Sequence, residues 1–172
     1  YLTGVDEVYV VGGAQAVAAL AYGTDSIAAV DKLYGPGNDW VTEAKLQVAK
    51  DPDGVACDLP AGPSEVLVIA DDTANAEFVA ADLLSQAEHG ISSQSILLTT
   101  SSRLAARVRQ EVARQLELLP RSRIAARALD HSMIIVVRDL EQAVSISNGY
   151  APEHLIIATD NAADLLVRVK AA

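Results

Sequence analysis

Aromatic residues are scarce in this chain, 4% of 172 residues, so its core has to be built from Val, Leu, Ile and Ala. A single cysteine, Cys57, excludes a disulfide framework within the chain and fits a reducing cytoplasm. No apolar run approaches the ~18 residues that would suggest a membrane span. Basic runs are missing too: 13 Lys and Arg stand against 23 Asp and Glu, a net charge of −10. That balance argues against nucleic acid, whose phosphates need clustered cations, and against anionic membrane surfaces. It leaves room for a small anionic cofactor, which backbone N–H groups at a helix start can hold. The only methionine is Met133. The chain opens at Tyr1-Leu2-Thr3-Gly4 and stops at Lys170-Ala171-Ala172 inside a helical pattern, which predicts a piece of something longer.

What is present is a globular composition, 51% apolar and 21% charged, arranged as strand, helix, strand, helix. Strands are predicted at 7–11, 31–34, 55–57, 65–70, 95–99, 133–137 and 154–158. Helices are predicted at 14–21, 39–50, 75–89, 102–119, 121–129, 140–148 and 162–170. The 39–50 helix places Trp40, Val41, Ala44 and Val48 on one side. Strands alternating with helices of this length imply an α/β fold: mostly parallel sheets covered by helices. The connection at 51–63 holds Pro52, Gly54, Pro60, Gly62 and Pro63, and is the best domain boundary.

Residues suited to chemistry sit at element ends. Val11-Gly12-Gly13-Ala14-Gln15-Ala16 runs from a strand through two glycines into a helix. It reads either as a tight turn or as a place where a ligand approaches the backbone. It is not the G-x-G-x-x-G dinucleotide fingerprint. Tyr34-Gly35-Pro36-Gly37-Asn38 reads as a turn ending in an N-cap, or as a turn presenting the Asn38 amide to a ligand. In Pro60-Ala61-Gly62-Pro63-Ser64-Glu65, Ser64 is a turn residue or a hydrogen-bonding group for a substrate; no nucleophile elbow surrounds it. Gln86 and His89 are three apart near a helix end, with Asp82 on the Gln86 side. They are either ordinary helix-end residues or two metal donors that need others from elsewhere. Glu153 and His154, after Pro152, suit acid–base work if the stretch is still loop, because neighbours on a regular strand face opposite ways. His131 has no obvious partner, and Cys57 lacks a nearby activating group, so both are read as structural.

Taken in order, Val11-Gly12-Gly13-Ala14-Gln15-Ala16, Tyr34-Gly35-Pro36-Gly37-Asn38, Thr42-Glu43-Ala44-Lys45, Pro60-Ala61-Gly62-Pro63-Ser64-Glu65-Val66, Asp82-Leu83-Leu84-Ser85-Gln86-Ala87-Glu88-His89-Gly90 and Pro152-Glu153-His154-Leu155 resemble motifs of the histidinol dehydrogenase family. The resemblance spans essentially the whole chain. It implies two incomplete Rossmann-like units, residues 1–64 in an NAD-binding one and 65–172 in a second carrying zinc and acid–base residues. It implies oxidation of L-histidinol to L-histidine through L-histidinal, the last step of histidine biosynthesis, with zinc and NAD as cofactors. Gln15 and Asn38 would contact NAD, and Gln86 and His89 would bind zinc. Ser64, Gln86, His89 and His154 would hold the substrate, and Glu153 and His154 would be the catalytic pair. The family is longer. Its other zinc ligands, an Asp and a His, are expected beyond Ala172, one of them from the partner subunit of a homodimer, and an NAD-contacting Tyr before Tyr1. The chain by itself is therefore expected to bind zinc poorly and to show no turnover. Competing readings are a related NAD-dependent dehydrogenase of another amino alcohol or sulfonate, and a non-catalytic fragment of the same fold. A purely structural α/β protein would need neither Gln-x-x-His nor Glu-His.

Overall fold

Glu65 to Ala70 is an unbroken apolar run after its first residue, and such a run suits a strand buried on both faces. The structure, a computed structural model, describes residues 4–58 and 64–172. The chain divides into two compact units, Tyr1–Gly62 and Pro63–Ala172. It is α/β, with parallel sheets flanked by helices.

In the smaller unit, α1 (Ala14–Tyr22) leads to β1 (Lys32–Leu33), α2 (Asp39–Lys50) and β2 (Ala56–Cys57). The two strands pair in parallel, Lys32 with Ala56 and Leu33 with Cys57. Val17, Ala21, Leu33 and Val48 form the buried centre, with Cys57 packed against it. Two expectations fail here. Residues 7–11 form no strand: Val8 and Val10 lie 83% and 105% exposed, and no described strand pairs with them. Trp40 is exposed instead of sharing the buried face of α2, whose buried residues are Lys45 and Val48.

The larger unit holds β3 (Glu65–Ala70), α3 (Ala76–Ala87), β4 (Gln94–Thr99), α4 (Ser102–Leu116), α5 (Ser122–Leu129), β5 (Met133–Val136), α6 (Leu140–Tyr150), β6 (His154–Ala158) and α7 (Ala162–Leu166). The strands lie in the order β5-β4-β3-β6, all parallel. The chain thus steps outward for three strands and returns to the far side of β3, as in half of a doubly wound sheet. Alternate residues of β3 face opposite layers. Val66, Val68 and Ala70 pack with Val79, Leu83 and Leu104 of α3 and α4. Leu67 and Ile69 pack with Ala143, Val144 and Leu165 of α6 and α7.

Three helices of this unit start on side-chain caps, each a short polar group satisfying a free N–H. Asn75 accepts from Glu77 N–H at 2.9 Å, Ser101 from Leu104 N–H at 3.1 Å, and Asp139 from Gln142 N–H at 2.7 Å. The end of α3 differs from expectation. It stops at Ala87, before His89, and a tighter turn follows in which His89 N–H donates to Gln86 O at 3.1 Å.

Candidate functional site

In a parallel sheet every strand begins at the same edge, and a helix that follows a strand runs back toward that edge. Ser64 and Glu65, Gln94, His154 and the Gln86–His89 end of α3 therefore all collect at the amino-terminal edge of the larger sheet. Backbone pairing enforces it: Val66 lies opposite both Ser95 and His154, and Gln94 N–H donates to Ser64 O at 3.2 Å. Ligands of open α/β sheets usually sit beyond the carboxyl ends of strands. Here the candidate residues gather at the opposite edge.

Glu153 and His154 reach one place because only His154 is in the strand. α6 ends at Tyr150 and is capped by Ala151, a non-glycine residue with φ 55°, and the buried Pro152 turns the chain into β6. Glu153 falls in the bend before the strand, which removes the opposite-face problem. Its carboxylate accepts from Glu65 N–H at 3.4 Å. The His154 Nδ1 lies 3.3 Å from Glu65 O and 3.7 Å from the Glu153 carboxylate. A carbonyl oxygen only accepts, so in that bond Nδ1 is the donor, and in the neutral imidazole this tautomer leaves Nε2 without a proton. Both side chains are about half exposed and open to a substrate.

At the same edge of the sheet lies a chain of polar contacts that sequence reasoning missed. The Tyr150 hydroxyl donates to Gln94 Oε1 at 2.6 Å, and Gln94 Nε2 donates to His131 O at 2.6 Å. Burial, and secondly the nearby Glu65 carboxylate, push the Tyr150 phenol above its ordinary pKa, so it serves as a neutral donor. His131 thus contributes its backbone, in keeping with a structural role. Only the fold joins positions 94, 131 and 150, so no sequence spacing could have signalled them.

Gln86 and His89 are placed unequally. Gln86 is 5% exposed and its Nε2 has no hydrogen-bond partner, whereas His89 is exposed. Of the Gln86 amide, only the nitrogen is both buried and unpartnered, and exchanging N and O, equal in shape, would put an oxygen donor in its place. Burial alone raises the Asp82 carboxyl above its ordinary pKa. Two donors fall short of a tetrahedral set, and among the described residues no three or more His, Cys, Asp or Glu side chains gather. The described residues do not by themselves make a metal centre. Ser64 is half-buried at the head of β3; residues 60–63 of its motif lie outside the described residues.

In the smaller unit the first two motifs line one cleft of about 280 Å³, which includes Gly13, Val17, Leu33, Gly35, Pro36 and Lys45. Gly13 opens α1 at φ 77°, and a Cβ there would meet the Gln15 side chain, which folds back over it, at 2.9 Å. Asn38 does cap α2: its side-chain oxygen accepts from Val41 N–H at 3.2 Å, so a ligand contact would fall to its NH2 group. Gln15 and Asn38 are both exposed. The cleft falls just short of the roughly 300–1,000 Å³ of ligand pockets, room for only part of a dinucleotide, and neither Gln15 nor Asn38 is among its lining residues.

A family model described as histidinol dehydrogenase matches residues 1–172. The histidinol dehydrogenase of Campylobacter jejuni (strain RM1221) is 60% identical over 171 residues, 99% of this chain and 40% of that protein. That of Colwellia psychrerythraea is 58% identical over 171 residues, 99% of this chain and 39% of that protein. A crystal structure of histidinol dehydrogenase from Elizabethkingia anophelis superposes with a TM-score of 0.93 at 52% identity, over 99% of this chain and 39% of that one. The chain spans about 40% of the length of the curated relatives it matches.

Proposed function

We propose, from the premise that this chain belongs to the histidinol dehydrogenase family, that the whole protein oxidises L-histidinol to L-histidine through L-histidinal, as the last step of histidine biosynthesis. The observation that carries this reading is the convergence of Glu153 and His154 on the backbone of Glu65, beside Ser64. His154 Nε2 takes the hydroxyl proton of the alcohol as its carbon loses a hydride. Glu153 takes a proton from the water that adds to the aldehyde, and the hydrate anion so formed loses a second hydride to give the carboxylic acid, which ionises to the carboxylate in water. Glu65 holds both groups through its N–H and C=O, so neither has to reorient between the two oxidations. Ser64 offers the substrate a hydroxyl. NAD, when bound, would accept one hydride in each oxidation, a second NAD replacing the first NADH, with Gln15 and Asn38 as its contacts.

Gln86 and His89 offer two zinc donors that also face the substrate, the remaining donors coming from the rest of the whole protein and from a partner subunit of a homodimer. The 1–64 part would serve NAD and the 65–172 part the acid–base and zinc chemistry. A cytoplasmic setting fits the lone Cys57. Among the described residues no helix is long and apolar enough to cross a membrane.

The test is the yield of NADH from the full-length protein supplied with zinc, NAD and limiting L-histidinol. Two NADH per histidinol support the proposal. One NADH, with aldehyde accumulating, refutes the second oxidation; none, with another amino alcohol oxidised, moves the substrate.

A further inference from the structure

Lys45 lies on the inner face of α2, four residues after Val41, its side chain 8% exposed. Burying an ammonium is costly unless it is paired and hydrogen-bonded, and this one is both. It donates to a carboxylate oxygen of Asp58, just after β2, and to the carbonyl of Gly35. The other Asp58 oxygen accepts from Gly35 N–H at 2.8 Å. One ion pair thus grips both polar groups of a single peptide residue. Gly35 has φ 119°, a conformation that side-chain-bearing residues rarely adopt. Asp58 N–H also donates to Leu33 O at 3.0 Å, which fixes the carboxylate at the end of the β1–β2 ladder. The hydrogen bond from Lys45, and then that from Gly35, hold the Asp58 carboxyl below its ordinary pKa.

Buried ion pairs add little net stability against an apolar pair of the same volume, and their best-attested use is to select one arrangement among several. The arrangement selected here is the 34–38 turn. Gly35, Pro36 and Lys45 all line the cleft that begins at Gly13, and the turn ends at Asn38, the cap of α2.

We infer that Lys45 and Asp58 are positioning residues for the nucleotide cofactor, a clamp that holds the 34–38 turn open against Gly13 and aims Asn38. This rests on the reading of Gln15 and Asn38 as cofactor contacts. The clamp touches neither the substrate nor the reacting atoms, so its loss should appear in cofactor affinity and not in the chemical step. A fixed turn pre-organises the site; a loose one makes each binding event select the competent shape first.

The experiment uses full-length protein, with the dissociation constant of NAD by calorimetry, steady-state kinetics in NAD and in L-histidinol, and a melting temperature for each variant. Asp58→Asn keeps the shape and removes the charge. It should raise the KM for NAD by about tenfold or more, with kcat and the KM for L-histidinol within about twofold. Asp58→Glu, which keeps the carboxylate, should recover part of the loss. If Asp58→Asn does not fold, Gly35→Ala strains the gripped residue without altering the pair, and should give the same split. Folded variants with wild-type KM for NAD would overturn the clamp, as would a fall in kcat at unchanged KM for NAD. A wild-type protein that turns over without NAD would overturn the cofactor reading, and this inference with it.

Discussion

Leu67, Val68, Ile69, Leu97 and Leu98 of the Pro63–Ala172 unit are completely buried in the two central strands of four. The Tyr1–Gly62 unit has strands of two residues, and its centre is Val17, Ala21, Leu33 and Val48. The larger unit can therefore hold half-exposed groups such as Glu153 and His154 on the rim of a rigid sheet. Little more than backbone pairing is needed to aim them. The smaller unit has less apolar surface to bury, and it shapes its cleft with the charged pair Lys45 and Asp58. The larger unit supports its candidate residues on a tightly packed sheet, whereas the smaller one shapes its cleft around a buried charge.

The comparison is sharpened most by Glu153→Gln and His154→Asn in the full-length protein. Each should lower kcat by about 10²–10⁴-fold, the usual weight of a general acid or base, with the melting temperature unchanged because both groups lie on the rim. Next come large-to-small changes in the two cores. Leu97→Ala should cost about 3–5 kcal/mol and Leu33→Ala about 2–3 kcal/mol, measured by denaturant unfolding. Equal costs would break the contrast between the units.

Acid should separate them as well. The folded Asp58 carboxyl titrates below its ordinary range. The stabilisation it brings is thus complete above the unfolded Asp value, about 4, and is lost as pH falls through the lowered folded value. A probe in the smaller unit, Trp40 fluorescence, should report loosening over that window in the wild type and no such step in Asp58→Asn. The smallest effect is expected at a helix cap: Asn75→Ala should cost about 1 kcal/mol.

Much of the fold is legible in the sequence, for local reasons. α2, β3 and β6 fall at 39–50, 65–70 and 154–158 as predicted, because Asn38 caps the first and continuous apolar runs define the others. The expected end of the third helix at His89 fails because the chain tightens after Ala87. The strand expected at 7–11 fails because β-rich composition does not supply a neighbour to pair with. Glu153 and His154 were visible as a pair beside Pro152. Lys45 was not visible as a site residue, although a lysine four residues from Val41 on an apolar helix face is a signal in itself. Its partner Asp58 is 13 residues away, and only the β1–β2 ladder brings it there.

The most direct test of the Glu153 and His154 assignment is to supply full-length His154→Asn and Glu153→Gln proteins with L-histidinal and, separately, with L-histidinol, and to compare rates of NADH formation. The account predicts that His154→Asn regains turnover when given the aldehyde, since the alcohol proton no longer has to be removed, and that Glu153→Gln stays slow with it. Near-wild-type rates for both variants on both substrates would contradict it.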